Sequence, residues 1–183
     1  MKSISVSLII LFSTISLNGQ NNWIRKEIGN GLYVSFPNAP TYTPNQVLST
    51  YTAQNSNCIF MVLIMRNVIP ENYDAFVRAE SNWSESQKEK VAYAFLDNFI
   101  KGKISYNGGT LVATADTKIG GYYGKKIEYE AVNPLTGEID RRFSIVLALL
   151  KYNKVISFEC LAFNNSKEAD DNKTYFFNSI KVK

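Results

Sequence analysis

The sequence predicts an α+β protein in which an antiparallel sheet has its helices packed mainly on one side. Three observations support this class. Strand patterns fill residues 23–65 and 111–163, one long helical pattern separates the two groups, and a second helical pattern closes the chain. Short turns join most strands within each group, which favours antiparallel pairing. Strands and helices that occur in separate runs are typical of the α+β class.

The segment 1–19 has the composition of a cleavable export signal. A lysine precedes a short apolar stretch, and small residues follow. This order is typical of signal peptides, and the apolar stretch is short for a helix that crosses a bilayer. We expect cleavage after Gly19, with cleavage after Ser16 and an uncleaved anchor as alternatives. The mature chain, residues 20–183, is then one exported domain, periplasmic or secreted, with no membrane span.

The first strands are predicted from alternation. A strand over Trp23–Ile28 is followed by Leu32–Phe36, in which apolar and polar residues alternate as in a half-buried strand. Two prolines end this strand, because proline has no N–H for a sheet ladder. Val47–Ala53 and Cys58–Met65 then form a hairpin through a polar turn. The second arm is apolar at every position, so we expect a central strand covered on both faces.

The long helix is predicted from a cap and a hydrophobic stripe. Ser84 and Gln87 fit an S-x-x-Q capping box. Three apolar residues then recur at every fourth position, Val91, Phe95 and Phe99, and Leu96 and Ile100 widen this stripe. Such spacing places them on one face of a helix. We expect Gly102 to end this helix as its C-cap. A shorter helix over Tyr73–Ala79 precedes it.

The residue pattern in the second half of the chain predicts a short strand over Leu111–Ala115, a meander of three longer strands, and a last helix. The meander strands are Tyr122–Val132, Glu138–Leu150 and Lys154–Phe163. Residues that favour turns join them. The last helix, Lys167–Ser179, is capped by Asn165 or Ser166 and buries Phe176 and Ile180.

Alternation assigns the faces of the meander. The face that we predict to be buried carries Ile127, Tyr129 and Ala131, then Phe143, Ile145, Leu147 and Leu149, then Ile156, Phe158 and Cys160. The opposite face starts with charged residues and becomes apolar further along the second strand. We therefore expect it to be solvated near the first turn and covered elsewhere.

The two cysteines, Cys58 and Cys160, both fall in apolar strand patterns. An exported protein meets an oxidising environment, so they are candidates for one disulfide. The alternative is that both are small buried hydrophobic residues, which is a frequent fate of free cysteine. The residue pattern suits either outcome.

The absence of histidine excludes several kinds of chemistry. A chain with no His cannot build a Ser-His-Asp or Cys-His nucleophile system or an HExxH zinc site. Two cysteines alone do not make a structural zinc site. Basic residues occur singly or in pairs beside acidic ones, so no stripe for nucleic acid is present. We expect no metal, cofactor or nucleic-acid partner.

Paired carboxylates leave one catalytic alternative. Glu128 and Glu130 share one face of a predicted strand, and glycoside hydrolysis needs only two carboxyl groups. In the predicted register, however, Glu128 lies opposite Arg142. This arrangement favours an exposed charge ladder over an acid and a base.

The candidate recognition residues are tyrosines beside loops. The chain has 11 Tyr and 11 Phe, and tyrosine combines a rigid contact area with a polar tip. The residues that we select as partner-binding candidates are Tyr42, Tyr51, Tyr122, Tyr123, Lys125 and Lys126. The alternative is that tyrosine simply forms strands well.

Short motifs give the chain a family resemblance. The segment 31–40 resembles the "strand then FPxxP" start of small exported domains similar to the PsbP, Mog1 and DcrB group, and 120–128 resembles that group's turn into a long meander. The segment 176–182 looks like its final helix running into a short strand. The resemblance implies an antiparallel sheet flanked by helices, in proteins that mostly bind partners and share no catalytic site. It carries no catalytic residues to this chain.

The sequence thus predicts an exported, non-enzymatic binding or accessory domain whose partner is a protein or ligand of the envelope or the extracellular space. One alternative is a carboxylate-dependent hydrolase of envelope glycans. A second is an inhibitor that inserts a protruding rigid loop into a foreign enzyme.

Overall fold

The structure, a computed structural model, describes residues 23–69, 71–133 and 136–183. The predicted signal segment lies outside the described residues. The strands are β1 (Ile24–Gly29), β2 (Leu32–Phe36), β3 (Thr41–Thr43), β4 (Leu48–Gln54), β5 (Cys58–Arg66), β6 (Thr110–Ile119), β7 (Tyr122–Val132), β8 (Ile139–Leu149), β9 (Lys154–Ala162) and β10 (Lys181–Val182). The helices are α1 (Tyr73–Glu80), α2 (Glu85–Tyr106) and α3 (Lys167–Asn178).

The strands form two antiparallel sheets. The large sheet has the order β3-β4-β5-β9-β8-β7-β6, and a small sheet has the order β1-β2-β10. All strand pairs are antiparallel. The predicted α+β class is confirmed. Among the helices of the described residues, none is both long and apolar enough to cross a bilayer.

The large sheet carries one core on each face. On the first face, the small sheet and α3 pack against β5, β8 and β9, with Phe36 and Phe176 fully buried. On the second face, α2 packs against β7 and β8 with Leu96 at the centre, and α1 adds Phe76. Two of the three helices therefore share one face, and α3 lies beside the small sheet on the other.

Strand β5 shows how far this cover extends. Its residues facing the small sheet are buried: Cys58, Phe60, Val62 and Ile64. Its residues on the α2 face are only half-buried: Ile59, Met61, Leu63 and Met65. The expectation that this strand is covered on both faces is thus wrong for the α2 face, because α2 lies over β6, β7 and β8 and does not reach across to β5.

The predicted register between β7 and β8 is wrong by one residue. Tyr129 lies opposite Arg142, so Ile127, Tyr129 and Ala131 face α2, whereas Ile145, Leu147 and Leu149 face the small sheet. Both faces of β8 are apolar, so burial alone does not choose between the two registers. The pairing of β8 with β9 was predicted correctly.

The same shift changes the ion pairs of β7. Glu128 lies opposite Phe143 rather than Arg142, and its carboxylate accepts a hydrogen bond from Arg141 Nε. Glu130 lies directly opposite Arg141. The predicted charge ladder is therefore built around Arg141.

Two element ends also differ from the prediction. Gly102 is not the C-cap, because α2 continues to Tyr106 and buries Ile104 against the sheet. The buried residues of α2 are Ala92, Leu96, Ile100 and Ile104. The predicted Leu96 and Ile100 are thus buried, whereas Val91, Phe95 and Phe99 lie beside them and are half-buried. Strand β6 is ten residues long, twice the predicted length, because it pairs with β7 over its whole span. The capping box of α2 and the Ser166 cap of α3 are confirmed.

Glycine is required where β7 begins. Gly120 has φ 55°, and a Cβ on it would lie 2.2 Å from Val182 of β10, so the β6–β7 turn touches the small sheet. A Cβ on Gly124 would lie 2.5 Å from Leu147 Cδ2 and 2.7 Å from the Val146 carbonyl oxygen. These close approaches leave no room for a side chain.

We expect Gly124→Ala to lower the free energy of unfolding by about 1–3 kcal/mol, because the added methyl group overpacks the contact with β8. Gly102→Ala is the matched control. A Cβ on Gly102 meets nothing within 4 Å, and alanine inside a helix is more stable than glycine by about 0.5–1 kcal/mol. Urea unfolding followed by circular dichroism measures both. Equal effects of the two substitutions would contradict the packing argument.

Candidate functional site

An apolar groove lies where α2 leaves the sheet uncovered. This α2 groove has a volume of about 650 Å³ and lies between α2 and the uncovered face of β5, with Leu48 of β4 at its edge. Its apolar walls are Leu48, Met61, Leu63, Met65, Phe99 and Tyr106. Tyr106 is 93% exposed and Leu48 is 40% exposed, so the apolar surface continues from the groove onto its rim.

A buried ion pair forms the floor of the α2 groove. Lys103 Nζ lies 2.7 Å from Glu159 Oε1, and both side chains are about nine-tenths buried. Lys103 also donates to Ser144 Oγ at 3.1 Å and to Ser157 Oγ at 3.0 Å. All three ammonium protons therefore have acceptors. Burial lowers the pKa of Lys103, and the Glu159 carboxylate opposes this shift.

A second cation lies beside this floor. Arg142 donates to the Val132 carbonyl at 3.3 Å and lies 3.7 Å from the Asp140 carboxylate. Its Nε and the Oδ2 of Asp140 have no hydrogen-bond partner among the described residues. Burial raises the pKa of Tyr129, which lies between the two cations, to about 12, so its hydroxyl keeps its proton. The floor thus has two cations and two carboxylates and is close to neutral.

A second groove lies on the opposite face of the large sheet. This lysine groove has a volume of about 640 Å³ and runs between the outer strands β6 and β7 on one side and α3 with β10 on the other. Phe143 and Ile145 of β8 lie at its base. Four lysines line it: Lys118, Lys126, Lys173 and Lys181.

The predicted recognition tyrosines of β7 lie around one small pocket. Tyr122 and Tyr123 line a 290 Å³ pocket together with Phe76 and Trp83. The Tyr122 hydroxyl donates to the Asn30 carbonyl at 3.2 Å. The Tyr123 hydroxyl lies 3.2 Å from Glu85 Oε2. Both hydroxyls are thus engaged within the fold, and the rings are half-buried.

The predicted lysines of β7 point to opposite faces of the sheet. Lys125 is 8% exposed, and its ammonium lies 2.7 Å from Asp97 Oδ1 and 2.9 Å from Asp116 Oδ1. Burial lowers the pKa of Lys125, but the hydrogen bonds that its ammonium donates to both carboxylates outweigh this effect and raise the pKa above its usual value. Lys126 is exposed and lines the lysine groove.

The remaining candidates lie at the other side of the large sheet. Tyr42 of β3 and Tyr51 of β4 stack with ring centroids 4.6 Å apart. Three strands, β5, β9 and β8, separate β4 from β7 in the sheet order. The structure therefore brings Tyr122 and Tyr123 to one pocket and does not bring them together with Tyr42 and Tyr51.

The two cysteines lie on neighbouring strands at diagonal positions. Cys58 of β5 pairs with Ala162, and Cys160 of β9 pairs with Phe60. Both are buried free thiols. Cys58 Sγ donates to the Ala169 carbonyl at 3.6 Å. A hydrogen bond to Cys58 and burial both raise the pKa of the Cys160 thiol. The disulfide stays a prediction.

The sequence did not lead us to the floor of the α2 groove. Its signal is a single carboxylate, Glu159, between Phe158 and Cys160 in an apolar strand, since a buried carboxylate needs a cation. The cation, Lys103, follows the glycine that we took for the helix end. Within residues 23–69, 71–133 and 136–183, no three Cys, Asp or Glu side chains form a group that could hold a metal ion.

Comparison with known proteins gives matches among solved structures. No family model and no curated protein matches the chain. The chain is similar to cyanobacterial PsbP (CyanoP) from Synechocystis sp. PCC 6803, with a TM-score of 0.49 and 13% identity over 94% of this chain and 99% of that chain. It is also similar to the Ran-binding protein Mog1p from Saccharomyces cerevisiae, with a TM-score of 0.47 and 8% identity over 87% of this chain and 96% of that chain. The resemblance inferred from the sequence is confirmed, and it concerns the fold alone.

We expect Lys103→Met to lower the free energy of unfolding by about 3–5 kcal/mol, because it leaves the Glu159 carboxylate buried without its cation. The double variant Lys103→Met with Glu159→Leu should recover most of this loss, since no charge is then left unpaired. Urea unfolding of the two variants beside the wild type measures the difference. A double variant less stable than Lys103→Met would contradict this account of the floor.

We expect protein isolated from the envelope without reductant to carry the Cys58–Cys160 disulfide. Alkylation in denaturant followed by intact-mass analysis distinguishes the two states, because each free thiol adds one label. A reduced sample provides the fully labelled control. Two labels on the unreduced protein would show that both cysteines stay free.

Proposed function

We propose that this protein is an exported, non-enzymatic binding domain that holds an apolar segment of an envelope or extracellular protein in the α2 groove. The observation that carries the proposal is the apolar face of β5, continued by Leu48 of β4, that α2 leaves uncovered. Export rests on the signal composition of residues 1–19. Mass spectrometry of the mature protein should find Gln20 as its first residue.

The uncovered face is costly unless something binds to it. Burial of apolar surface contributes about 25 cal/mol per Å², and apolar patches on exported domains are typical of binding surfaces. Met61, Leu63 and Met65 are half-buried here although the rest of the sheet has a full core. Methionine adapts its shape to a partner, and aromatic side chains such as Phe99 provide rigid contact area.

The charge and shape of the groove favour a protein segment of apolar character. The cations and carboxylates of its floor balance one another, so the groove offers no net charge to a ligand. Its rim continues into exposed apolar side chains at Leu48, which is 40% exposed, and at Tyr106. An apolar surface that spreads beyond the groove fits the core and rim of a protein interface.

The hydrolase alternative has less support. Glu128 and Glu130 lie on the face of β7 away from the α2 groove, beside Arg141. Asp140 and Glu159 line one small cavity, but Arg142 and Lys103 respectively lie against them. Each carboxylate is thus held by a cation, and glycoside hydrolysis needs one carboxyl group that carries a proton.

The test uses a photo-crosslinking amino acid at position 106 of the full chain in intact cells. We expect a defined crosslinked protein, because Tyr106 lies on the groove rim. Position 139 provides the matched control, since Ile139 is an equally apolar side chain, 69% exposed, on the opposite face. Leu63→Gln should reduce the crosslink at position 106 about tenfold or more, because it places a polar amide inside the groove.

A purified-protein measurement separates an empty groove from a missing partner. Nile red, a neutral apolar dye, should bind the wild type and bind Leu63→Gln at least about fivefold more weakly. The proposed binding surface would be contradicted if Leu63→Gln bound the dye as tightly as the wild type. It would also be contradicted if positions 106 and 139 gave the same crosslinked protein.

A further inference from the structure

We propose that the lysine groove is a second binding site, which takes a single-chain anionic amphiphile such as a fatty carboxylate. Its acid group lies between Lys126 and Lys181, and its chain lies over Phe143 and Ile145. The site is independent of the α2 groove, because it is on the opposite face of the large sheet.

The walls of the lysine groove come from elements far apart in the chain. Lys126 of β7 stands on one wall, and Thr174 and Phe177 of α3 stand on the other. The contact between Gly120 and Val182 joins the β6–β7 turn to β10 and closes one end. The groove is therefore bordered by β6 and β7, by α3 and by β10.

The charge of this groove is uncompensated. No Asp or Glu is among the described residues that line it. Lys118 is turned to the other face, where its ammonium lies 4.2 Å from the Tyr123 ring centroid. Lys173 lies 2.6 Å from Asp170 Oδ1.

Lys126 and Lys181 are the two cations that remain. Both are exposed, and neither lies within ion-pair distance of a carboxylate among the described residues. Two ammonium groups around one groove favour an anion, because a bound acid accepts charge-assisted hydrogen bonds from both.

The base of the groove is apolar. Phe143 is half-buried and carries the Lys173 ammonium 4.0 Å from its ring centroid. Ile145 and Ile180 are nearly fully buried beneath, and Phe177 and Val182 are half-buried beside them. A purely hydrophilic anion would leave this surface in contact with water, whereas an alkyl chain covers it.

The size of the groove favours a small molecule. A volume of 640 Å³ lies within the range of about 300–1,000 Å³ that ligand pockets occupy. The groove ends at Gly120, so the alkyl group of a bound amphiphile ends there. A single groove with one closed end suits one alkyl chain, and an extended polymer would need both ends open.

Isothermal titration calorimetry of residues 20–183 with laurate, below its micelle concentration, tests the site. We expect saturable binding at one site. The double variant Lys126→Glu with Lys181→Glu should weaken binding about tenfold or more, because it replaces two attractive charges with repulsive ones. Lys126→Arg with Lys181→Arg should retain it. Lys90→Glu with Lys101→Glu, at two exposed lysines of α2, is the charge-matched control.

Other probes separate the sources of the same chemistry. Inorganic phosphate bound as tightly as laurate would overturn the proposal in favour of a site for small anions. Binding of the uncharged amphiphile dodecyl maltoside as tightly as laurate would show that the lysine charges play no part, which would also overturn the proposal. If the protein bound phosphatidylglycerol vesicles but not laurate, the lysine groove would be a surface for membrane binding, which would overturn the proposal. Laurate binding that the double charge reversal leaves unchanged would also overturn it.

The two binding proposals can be tested independently of each other. Leu63→Gln should leave laurate binding unchanged, because it lies on the α2 face. Lys126→Glu with Lys181→Glu should leave the crosslink at position 106 unchanged. Laurate binding lost in Leu63→Gln would place the amphiphile in the α2 groove and contradict the site proposed here.

Discussion

The structure depends on the need to cover both apolar faces of one large sheet. The small sheet and α3 cover β5, β9 and β8 on the first face, and α2 covers β6, β7 and β8 on the second. Each cover is narrower than the seven strands beneath it. Two areas of the sheet therefore stay open, one on each face and at opposite sides of the strand order. The two grooves lie at these areas.

The two open areas of the sheet differ in the side chains that they carry. On β7 the charged side chains of Lys126 and Glu130 are exposed beside the first area, which is how a sheet face normally meets water. Along β5 and at Leu48 of β4 the uncovered positions are apolar, as at Met61 and Leu63. Contact with water does not explain why uncovered positions carry apolar side chains. This contrast is why the α2 groove supports the main functional proposal. The lysine groove adds an apolar base to a charged rim and so suits a smaller, anionic ligand.

The ion pair of Lys103 and Glu159 links the second core to the α2 groove. It ties α2 to β9 at the line where the helix stops covering the sheet. An apolar pair at the same place would pack as well, but Lys103 also donates hydrogen bonds to Ser144, Ser157 and Glu159, which favour this position of the helix over the strands. The border of the groove is thereby fixed. Arg142 and Asp140 extend the same border along β8.

The sequence by itself determined most elements, because alternation and caps are local: β7 was predicted to the residue, and the caps at Ser84 and Ser166 were recognised. It also determined the apolar character of β5 and the exposed charges of β7. Only the tertiary structure decided the register of β7 on β8, since both faces of β8 are apolar and either register buries them. Only the tertiary structure decided which part of each face stays open. That depends on where α2 and the small sheet come to rest, a long-range packing outcome that no local pattern encodes.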